Sequence, residues 1–272
     1  MKKTNCGGGY IYTIPKSDIE RLKCIEGIKY NEDIRGAYAR VTKLYGRAPD
    51  FFMNAELFDF TTRKPASDVV VDGKAHRLTQ TYGIAFKDYK DPVFSYNNNV
   101  NAPDYIGAYP VLVRNGKKET SEPKGIGGVR GRTALGVSKD NFYVALIPDK
   151  SGVSLSTLRN HFISVGTTDA INLDGGGSTQ GYFPDGNYYT GRNVRGFIGV
   201  WLKKSGTTNN TKADVRRVSV VGKLRVRSGA GYGYKRVDLL NNGDVVTVIE
   251  TSGSWCKIGE GRWVNSLYLK KK

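Results

Sequence analysis

The segment from Ala170 to Gln180 constrains the fold more than any other part of the chain, because a short apolar run passes directly into three glycines. It has the sequence AINLDGGGSTQ. Side chains alternate between the two faces of a strand, so Ile171 and Leu173 are predicted to share one face. Asn172 and Asp174 then share the other face at the strand's end. The motif predicts either a site for a polar ligand or a glycine-rich hairpin with an Asp turn.

The glycine loop offers candidate ligand contacts of two kinds. The backbone at Gly175, Gly176 and Gly177 carries no side chain that would keep a ligand away, and glycine also permits positive φ. The Ser178 hydroxyl and the Asn172 amide are predicted to add polar side-chain contacts. A Walker-type phosphate loop is excluded, because no Gly-Lys-Ser or Gly-Lys-Thr follows the glycines. We therefore expect an oxygen-rich ligand.

A helix is predicted immediately before this motif. Residues 151–165 have the sequence SGVSLSTLRNHFISV, with apolar residues at helical spacing. Ser154 is the predicted N-cap, and Gly166 stands where a C-cap glycine belongs. In open α/β sheets ligands bind at the carboxyl ends of strands, which favours the ligand-site interpretation. His161 lies within the helix and is not assigned to the site.

Four sequence blocks, in this order, resemble the phosphodiester glycosidases, relatives of the lysosomal uncovering enzyme that removes N-acetylglucosamine from a sugar phosphodiester. They are FFMNAELFD at 51–59, GRTALG at 131–136, the helix with NLDGGGST ending at 179, and the block at 191–200. The resemblance covers roughly residues 1–204. It implies an α+β catalytic domain with mixed sheets and helices, and a hydrolase acting on a glycosyl phosphodiester or a related bond.

The resemblance also implies roles for residues outside the glycine loop. Asn54 and Thr133 become candidate substrate contacts. Arg132 and Arg192 become candidate phosphate contacts, because arginine is always charged and can bind phosphate through two parallel hydrogen bonds. Considered by position alone, each arginine is more often a surface charge of a basic chain, and the family blocks favour the phosphate contact most for Arg132. Glu56 departs from the family pattern, which usually has a small residue there, and this indicates a different sugar or a changed acid.

Hydrolysis of a glycosidic bond commonly needs two carboxyl groups, one to donate a proton and one to act as base or nucleophile. Asp174 is the first candidate, Glu56 the second, and Asp59 a weaker third. If the leaving group is a phosphate, little proton donation is needed, and cations matter more than a second acid. The sequence predicts no cofactor, and it contains no pattern of metal ligands.

The C-terminal quarter is predicted to be a separate small domain. Residues 205–216 are polar and form the predicted linker. Residues 217–272 contain LRVRSG, GDVVTV, SWCKI and RWVNSLYL in an order that closely resembles bacterial Src-homology-3-like domains. The resemblance implies an all-β barrel that tethers an enzyme to bacterial cell walls. At least one of Trp255 and Trp263 is expected in its core, whereas Tyr232 and Tyr234 are expected at its surface.

Charge points to a polyanionic partner. The chain has 42 Lys and Arg against 25 Asp and Glu, a net charge of +17. The residues after Lys204 hold 13 of the basic and 5 of the acidic residues. Such a balance suits peptidoglycan or a teichoic-acid-type wall polymer, an anionic membrane, or nucleic acid. Nucleic acid is the runner-up, because zinc-ligand spacing, a recognition helix and an RNA-binding signature are missing from the sequence.

Localisation signals are weak. The chain starts with MKK, but no apolar segment of signal-peptide length follows, and no stretch is long enough to span a membrane. Cys6, Cys24 and Cys256 are expected to be free thiols, with a Cys6–Cys24 disulfide as the alternative. We expect action at the bacterial wall, and we favour a phage lysis or virion enzyme. The alternative function is a catalytically inactive, glycan-binding adhesin.

Overall fold

The structure is a computed structural model that describes residues 1–27, 32–77, 81–204, 214–259 and 261–271. The chain forms two compact units, Met1–Lys204 and Ser205–Lys272. Most of the predicted linker, residues 205–213, lies outside the described residues. The strand Val215–Val218 begins within the last residues of that predicted linker.

The first unit contains three antiparallel sheets among its described residues. The largest has the spatial order β1 (Lys2–Asn5), β2 (Tyr10–Pro15), β13 (Asn141–Ile147), β12 (Arg132–Val137), β14 (Asp169–Asn172), β10 (Val111–Arg114) and β11 (Lys117–Lys118). The second has the order β16 (Gly186–Tyr188), β15 (Gly181–Phe183), β4 (Phe51–Asn54), β17 (Gly196–Leu202) and β3 (Ile19–Glu26). The third has the order β6 (Lys74–Arg77), β5 (Val69–Val71), β9 (Asp104–Gly107), β7 (Tyr82–Lys87) and β8 (Asp91–Tyr96).

Two α-helices lie in the described part of this unit, α1 (Ile34–Tyr45) and α2 (Leu155–Ser164). The α2 helix begins as predicted, because the Ser154 hydroxyl accepts a hydrogen bond from the Thr157 amide at 3.0 Å. It ends where Gly166 adopts a φ of 84°, a conformation that favours glycine. The predicted helix and its caps are confirmed.

The first two sheets pack face to face, and each helix covers an outer face. Ile171 and Leu173 lie in the core between the sheets, as predicted from strand alternation. Ala170 points to the opposite face, where Leu158 and Phe162 of α2 cover it. The α1 helix covers the outer face of the β3–β4–β17 sheet in the same way. The unit is therefore mostly β-structure with few helices, and the α+β prediction holds only in this coarse sense. The predicted mixed sheets are wrong for the described residues, because every strand pair in this unit is antiparallel.

The second unit is built from two small antiparallel sheets. One has the order β21 (Val245–Thr247), β18 (Val215–Val218) and β25 (Leu269–Lys271). The other has the order β20 (Arg236–Asn241), β19 (Lys223–Arg227), β24 (Arg262–Asn265), β23 (Trp255–Gly259) and β22 (Glu250–Ser252). Trp255 is buried, whereas Tyr232 and Tyr234 are exposed, as predicted.

The three cysteines, Cys6, Cys24 and Cys256, are buried free thiols, so the prediction of free thiols is confirmed. Burial raises the pKa of the Cys6 thiol to about 12. None of the helices in the described ranges is long and apolar enough to cross a membrane. The described residues likewise contain no group of three or more His, Cys, Asp or Glu side chains arranged for a metal ion.

Candidate active site

One end of the two-sheet sandwich gathers most of the predicted site residues, because neighbouring antiparallel strands begin and end there. Strand β4 ends at Asn54, directly opposite Phe197 near the start of β17. Strand β14 ends at Asn172, opposite Ala134 near the start of β12. The Asp174 amide then donates to the carbonyl that follows β4, which brings the two sheets together at this end.

Asn54 joins three of the sequence blocks that were predicted to form the site. Its Nδ2 donates to the Asp174 carbonyl at 2.7 Å. Its Oδ1 accepts from the Thr133 hydroxyl at 2.7 Å and from the Gln180 amide at 3.1 Å. The side chains of Asn54 and Thr133 are both buried, and these bonds hold the glycine loop against β4 and β12. In the structure, both residues shape the loop that carries Asp174.

The three glycines of the loop have three different surroundings. A Cβ at Gly175 would lie 2.6 Å from the Gly131 carbonyl oxygen, so only glycine allows this close backbone approach. Gly176 has a φ of 56°, and its amide donates to the same carbonyl at 2.9 Å. A Cβ at Gly177 would lie 2.8 Å from a guanidinium nitrogen of Arg192. The loop therefore packs on the protein at Gly175 and faces an arginine at Gly177.

Asp174 combines burial with an unpartnered oxygen. Its exposed fraction is 9%, and its Oδ1 accepts a hydrogen bond from the Gly175 amide at 2.9 Å. Apart from the nearby Ser178 hydroxyl, its Oδ2 has no hydrogen-bond partner in the described part of the chain. Burial raises the pKa of this carboxyl to about 6, although the Ser178 hydroxyl, the Gly175 amide and the charge of Arg192 oppose the shift. A carboxyl in this state can exchange a proton near neutral pH.

Arg192 is the cation at the mouth of this loop. Its side chain is exposed, its Nη1 donates to the Ser178 hydroxyl at 3.2 Å, and its guanidinium lies 5.1 Å from the centre of the Phe60 ring. The Arg192 carbonyl accepts from Gln180 Nε2 at 2.8 Å, which fixes the backbone there. The predicted phosphate contact by Arg192 stays a prediction, but its position beside Asp174 suits it.

Arg132 has a different environment from the one predicted. It is fully buried, and its guanidinium donates to the carbonyls of Ile126, Gly128 and Val153 at 2.9, 2.6 and 3.1 Å. Burial lowers its pKa to about 10. The guanidinium thus stabilises the loop before β12. It has no exposed surface left for the predicted phosphate contact.

Two further candidates have local partners. Asn172 Nδ2 donates to the Leu173 carbonyl at 2.7 Å, and strand alternation places Asn172 on the face covered by α2. Asp59 caps its own turn by accepting hydrogen bonds from the Thr61 and Thr62 amides at 2.9 and 2.6 Å. These bonds, led by the Thr62 amide, lower the pKa of Asp59. Neither side chain is brought to Asp174 by these contacts.

Glu56 is closed in a buried ion pair. Its Oε1 lies 3.0 Å from Arg195 Nη1, and the exposed fractions of the two residues are 3% and 5%. A Cβ at Gly196 would lie 2.2 Å from Glu56 Oε2, so this carboxylate needs glycine opposite it. Burial raises the pKa of Glu56, the Arg195 charge opposes this, and the Asp174 charge adds to it.

Arg195 was missed at the sequence level, where Arg192 was taken as the arginine of the closing block. Arg195 stands immediately before β17, and that position was the available signal. His76 lies near Arg195 and outside the predicted set of site residues. Its Nε2 lies 2.9 Å from Glu26 Oε1, and burial, with the nearby charge of Arg195, lowers its pKa.

Comparison with known families decides the affiliation of the chain. The phosphodiester glycosidase model matches residues 50–229, about two thirds of the sequence, and this range includes Asn54, Glu56, Asp174 and Arg192. The chain belongs to the phosphodiester glycosidase family. A bacterial SH3 domain model matches residues 222–270. No curated protein matches the chain by sequence.

Solved structures share the phosphodiester glycosidase fold. The catalytic domain of zebrafish N-acetylglucosamine-1-phosphodiester alpha-N-acetylglucosaminidase superposes with a TM-score of 0.57 at 18% identity, covering 71% of this chain and 76% of that chain. A hypothetical protein from Synechocystis superposes with a TM-score of 0.58 at 13% identity, covering 74% of this chain and 61% of that chain. At these identities, the likeness concerns the fold alone.

The bacterial SH3 domain carries its own groove of about 520 Å³. Val226 points into the domain core, and the residues Lys223, Arg225 and Arg227 at alternate positions line the groove. The other lining residues are aromatic, apolar or amide side chains: Val220, Val221, Leu224, Tyr232, Trp255, Asn265 and Tyr268. A row of cations beside aromatic rings is a surface suited to an anionic polymer.

Proposed function

We propose that the Met1–Lys204 unit hydrolyses a glycosyl phosphodiester or a closely related glycan bond of the bacterial cell wall. The observation that carries the proposal is the Asp174 carboxyl, with a pKa of about 6 and one unpartnered oxygen, beside the Arg192 guanidinium. Membership of the phosphodiester glycosidase family supports it. The zebrafish relative is named for a phosphodiester substrate, and we extend only that class of bond to this chain.

The proposed chemistry uses one proton-transfer group and one cation. Near neutral pH a carboxyl with a pKa of about 6 is mostly ionised, so Asp174 can accept a proton from an attacking water. The departing phosphate needs little proton donation, since it is already a good leaving group. Arg192 would bind that phosphate and neutralise its charge.

The second predicted carboxyl, Glu56, is assigned a supporting role. Its Oε1 is paired with Arg195 and the exposed fraction of the residue is low, so substrate atoms have little access to it. The pair lies at the strand ends that carry Asp174, where it fixes the position of Arg195. Glu56 therefore acts in this proposal as a positioning residue.

The bacterial SH3 domain is proposed to hold the enzyme on the wall. Its groove presents Lys223, Arg225 and Arg227 beside aromatic rings, which suits the alternating phosphates and polyols of a teichoic-acid-type polymer. Action at the bacterial wall follows from this proposal. Phage origin stays a prediction.

The test is a screen of the full chain on synthetic glycosyl phosphodiesters and on purified walls, with mass spectrometry of released sugars. Walls stripped of phosphate polymers with hydrofluoric acid are the matched control. We expect sugar release from the phosphodiesters and from intact walls, and its loss in Asp174→Asn. Release that is equal from stripped and intact walls would favour an ordinary glycoside bond, and no release from any substrate would refute the hydrolase.

An inactive glycan-binding adhesin is the second candidate, because Glu56 stands in place of a small residue and is locked to Arg195. In that case the full chain would bind intact walls, and its Asp174→Asn variant would bind equally well. Prolonged incubation at high enzyme concentration would then release no sugar.

A further inference from the structure

The first unit contains a cavity that the proposed chemistry does not use. It has a volume of about 260 Å³. Its walls come from the N-terminal hairpin, the turn after β13 and the β15–β16 hairpin. We call it the Tyr10 pocket, and define it by the residues Lys3, Tyr10, Tyr12, Lys150, Phe183 and Asp185.

The Tyr10 pocket is polar and aromatic at once. Asp185 forms an ion pair with Lys3 and accepts a hydrogen bond from the Tyr12 hydroxyl. The Lys3 ammonium lies 3.4 Å from the centre of the Tyr10 ring. Tyr10 nevertheless keeps an exposed fraction of 38%. These contacts orient an aromatic ring, a carboxylate and an ammonium around one small space.

Lys150 gives the pocket a net positive charge. The Lys3 ammonium and the Asp185 carboxylate balance each other. Lys150 lines the same pocket, is exposed, and has no ion-pair partner in the described ranges. The pocket therefore offers a cation to an incoming group, and an amphipathic ring on which a sugar can stack.

The Tyr10 pocket and the glycine loop are linked through one turn. Asp149 Oδ1 accepts a hydrogen bond from the Gly131 amide at 2.5 Å, and the Gly131 carbonyl accepts from the Gly176 amide. Pro148 and Lys150, the two neighbours of Asp149, line the pocket. The same turn thus supports the glycine loop with one side chain and forms the pocket wall with the next residues.

Strand β15 makes a second link. Gln180, immediately before it, bonds to Asn54 and Arg192 in the candidate active site. Phe183, at its other end, lines the Tyr10 pocket. The strand therefore connects the candidate active site with the wall of the pocket.

We propose that the Tyr10 pocket is a subsite for a saccharide unit that carries an anionic group, adjacent to the unit cleaved at Asp174. The inference rests on the proposed function, since the ligand is the next unit of the same substrate. The volume of the Tyr10 pocket is a little below the range of about 300–1,000 Å³ typical of ligand pockets. This volume limits the occupant to a single sugar ring. Tyr10 stacks on the ring, and Lys150 binds the anionic group.

The test measures equilibrium binding of two probes to the full chain carrying Asp174→Asn, by calorimetry. The long probe is a synthetic phosphodiester-linked dimer of N-acetylglucosamine with a terminal phosphate, and the short probe is N-acetylglucosamine 1-phosphate. Tyr10→Ala and Lys150→Gln are the pocket variants. Tyr189→Ala and Lys139→Gln are matched controls, because both residues are exposed and lie outside the pocket.

We expect each pocket variant to raise the Kd of the long probe by about tenfold, the scale of one stacking contact for Tyr10→Ala and of one hydrogen bond to a charged group for Lys150→Gln. The Kd of the short probe for the pocket variants should change less than about twofold. The Kd of the long probe for both control variants should also change less than about twofold. Equal affinity of the long probe for all variants, an equal loss in the controls, or no binding of the long probe would overturn the subsite.

The outcome for the pocket is separable from that for the proposed function. Turnover of the phosphodiester-linked dimer by the unsubstituted chain, with no effect of Tyr10→Ala on its KM, removes the subsite and leaves the hydrolase. Pocket-dependent binding without any turnover by the unsubstituted chain keeps the subsite and removes the hydrolase.

Discussion

Two arginine–carboxylate neighbours lie at the same end of the sandwich, and they differ in almost every physical respect. Glu56 and Arg195 are buried, 3.0 Å apart and paired directly. Asp174 and Arg192 are not paired directly, since Arg192 is exposed and bonds to the Ser178 hydroxyl. Apart from the nearby Ser178 hydroxyl, one oxygen of Asp174 has no partner in the described residues.

The difference shows how one site can separate stability from chemistry. A buried pair costs a large desolvation free energy, and it is tolerated only while both charges remain paired. A carboxyl with an unpartnered oxygen beside an exposed arginine is ready to bind a proton or a ligand. The closed pair, Glu56 with Arg195, should therefore control folding. The open pair, Asp174 with Arg192, should control turnover.

The closed pair gives the largest expected effect. Arg195→Met leaves the Glu56 carboxylate buried without its partner, and should lower the free energy of unfolding by about 3–5 kcal/mol. Urea denaturation at pH 7 measures this. Arg192→Met is the control and should change stability by less than about 0.5 kcal/mol. Equal effects of the two substitutions would show that the contrast between the pairs is false.

The open pair gives the next effect. Asp174→Asn should lower kcat by at least about a hundredfold, the scale for loss of a proton-transfer group. Its fold should persist, as judged by circular dichroism and thermal unfolding. A folded variant with near-normal kcat would remove Asp174 from the mechanism.

The same substitution has a stability signature with a defined sign. The pKa of Asp174 is raised to about 6 in the folded chain, so the folded state binds this proton more tightly than the unfolded state. The carboxyl therefore stabilises the fold less as pH rises from about 4 to about 6. The free energy of unfolding of Asp174→Asn minus that of the unsubstituted chain should therefore be larger at pH 8 than at pH 4. A pH-independent difference would contradict the raised pKa.

Arg192 should affect substrate affinity more than folding. Arg192→Met should raise KM for a glycosyl phosphodiester by about tenfold, because a charge-assisted contact to phosphate is lost. Arg192→Lys should recover part of the affinity, since it restores the charge without the planar fork. A loss confined to neutral glycoside substrates would indicate another role.

The smallest expected effect lies in the bacterial SH3 domain. Arg225→Gln should weaken binding of the full chain to intact walls by about twofold to fivefold at low salt, on the scale of one exposed charge contact. Arg236→Gln is the matched control, because Arg236 is exposed and lies outside the groove. The difference should shrink at 1 M salt, where exposed charges are screened within about 3 Å. A difference that is independent of salt would show that the contact is not ionic.

Local sequence signals predicted part of this contrast. The alternation of Ile171 and Leu173, the Ser154 cap and the glycine loop depend on neighbours in sequence, and the structure confirms the alternation and the cap. Two partners of Arg132, residues 126 and 128, lie in the preceding loop, whereas residue 153 is brought to it by the tertiary fold. Nothing in sequence spacing could distinguish its role from that of Arg192.

Arg195 shows the same limit from the other side. Its partner Glu56 is distant in sequence, and Gly196 provides the space for the carboxylate only after β3, β4 and β17 have paired. The sequence-level choice of Glu56 as a second acid considered its type and its neighbours in sequence. Its ion pair and its burial are properties of the folded sheet.

The pH dependence of kcat/KM on a glycosyl phosphodiester tests most directly whether the open carboxyl performs the chemistry. With Asp174 as the proton acceptor, kcat/KM should rise through a midpoint near pH 6 and then level off, in keeping with the pKa of about 6. The residual activity of Asp174→Asn should show no such midpoint. A profile that is flat from pH 4 to 8, falls through pH 6, or keeps the same midpoint in Asp174→Asn would contradict this assignment.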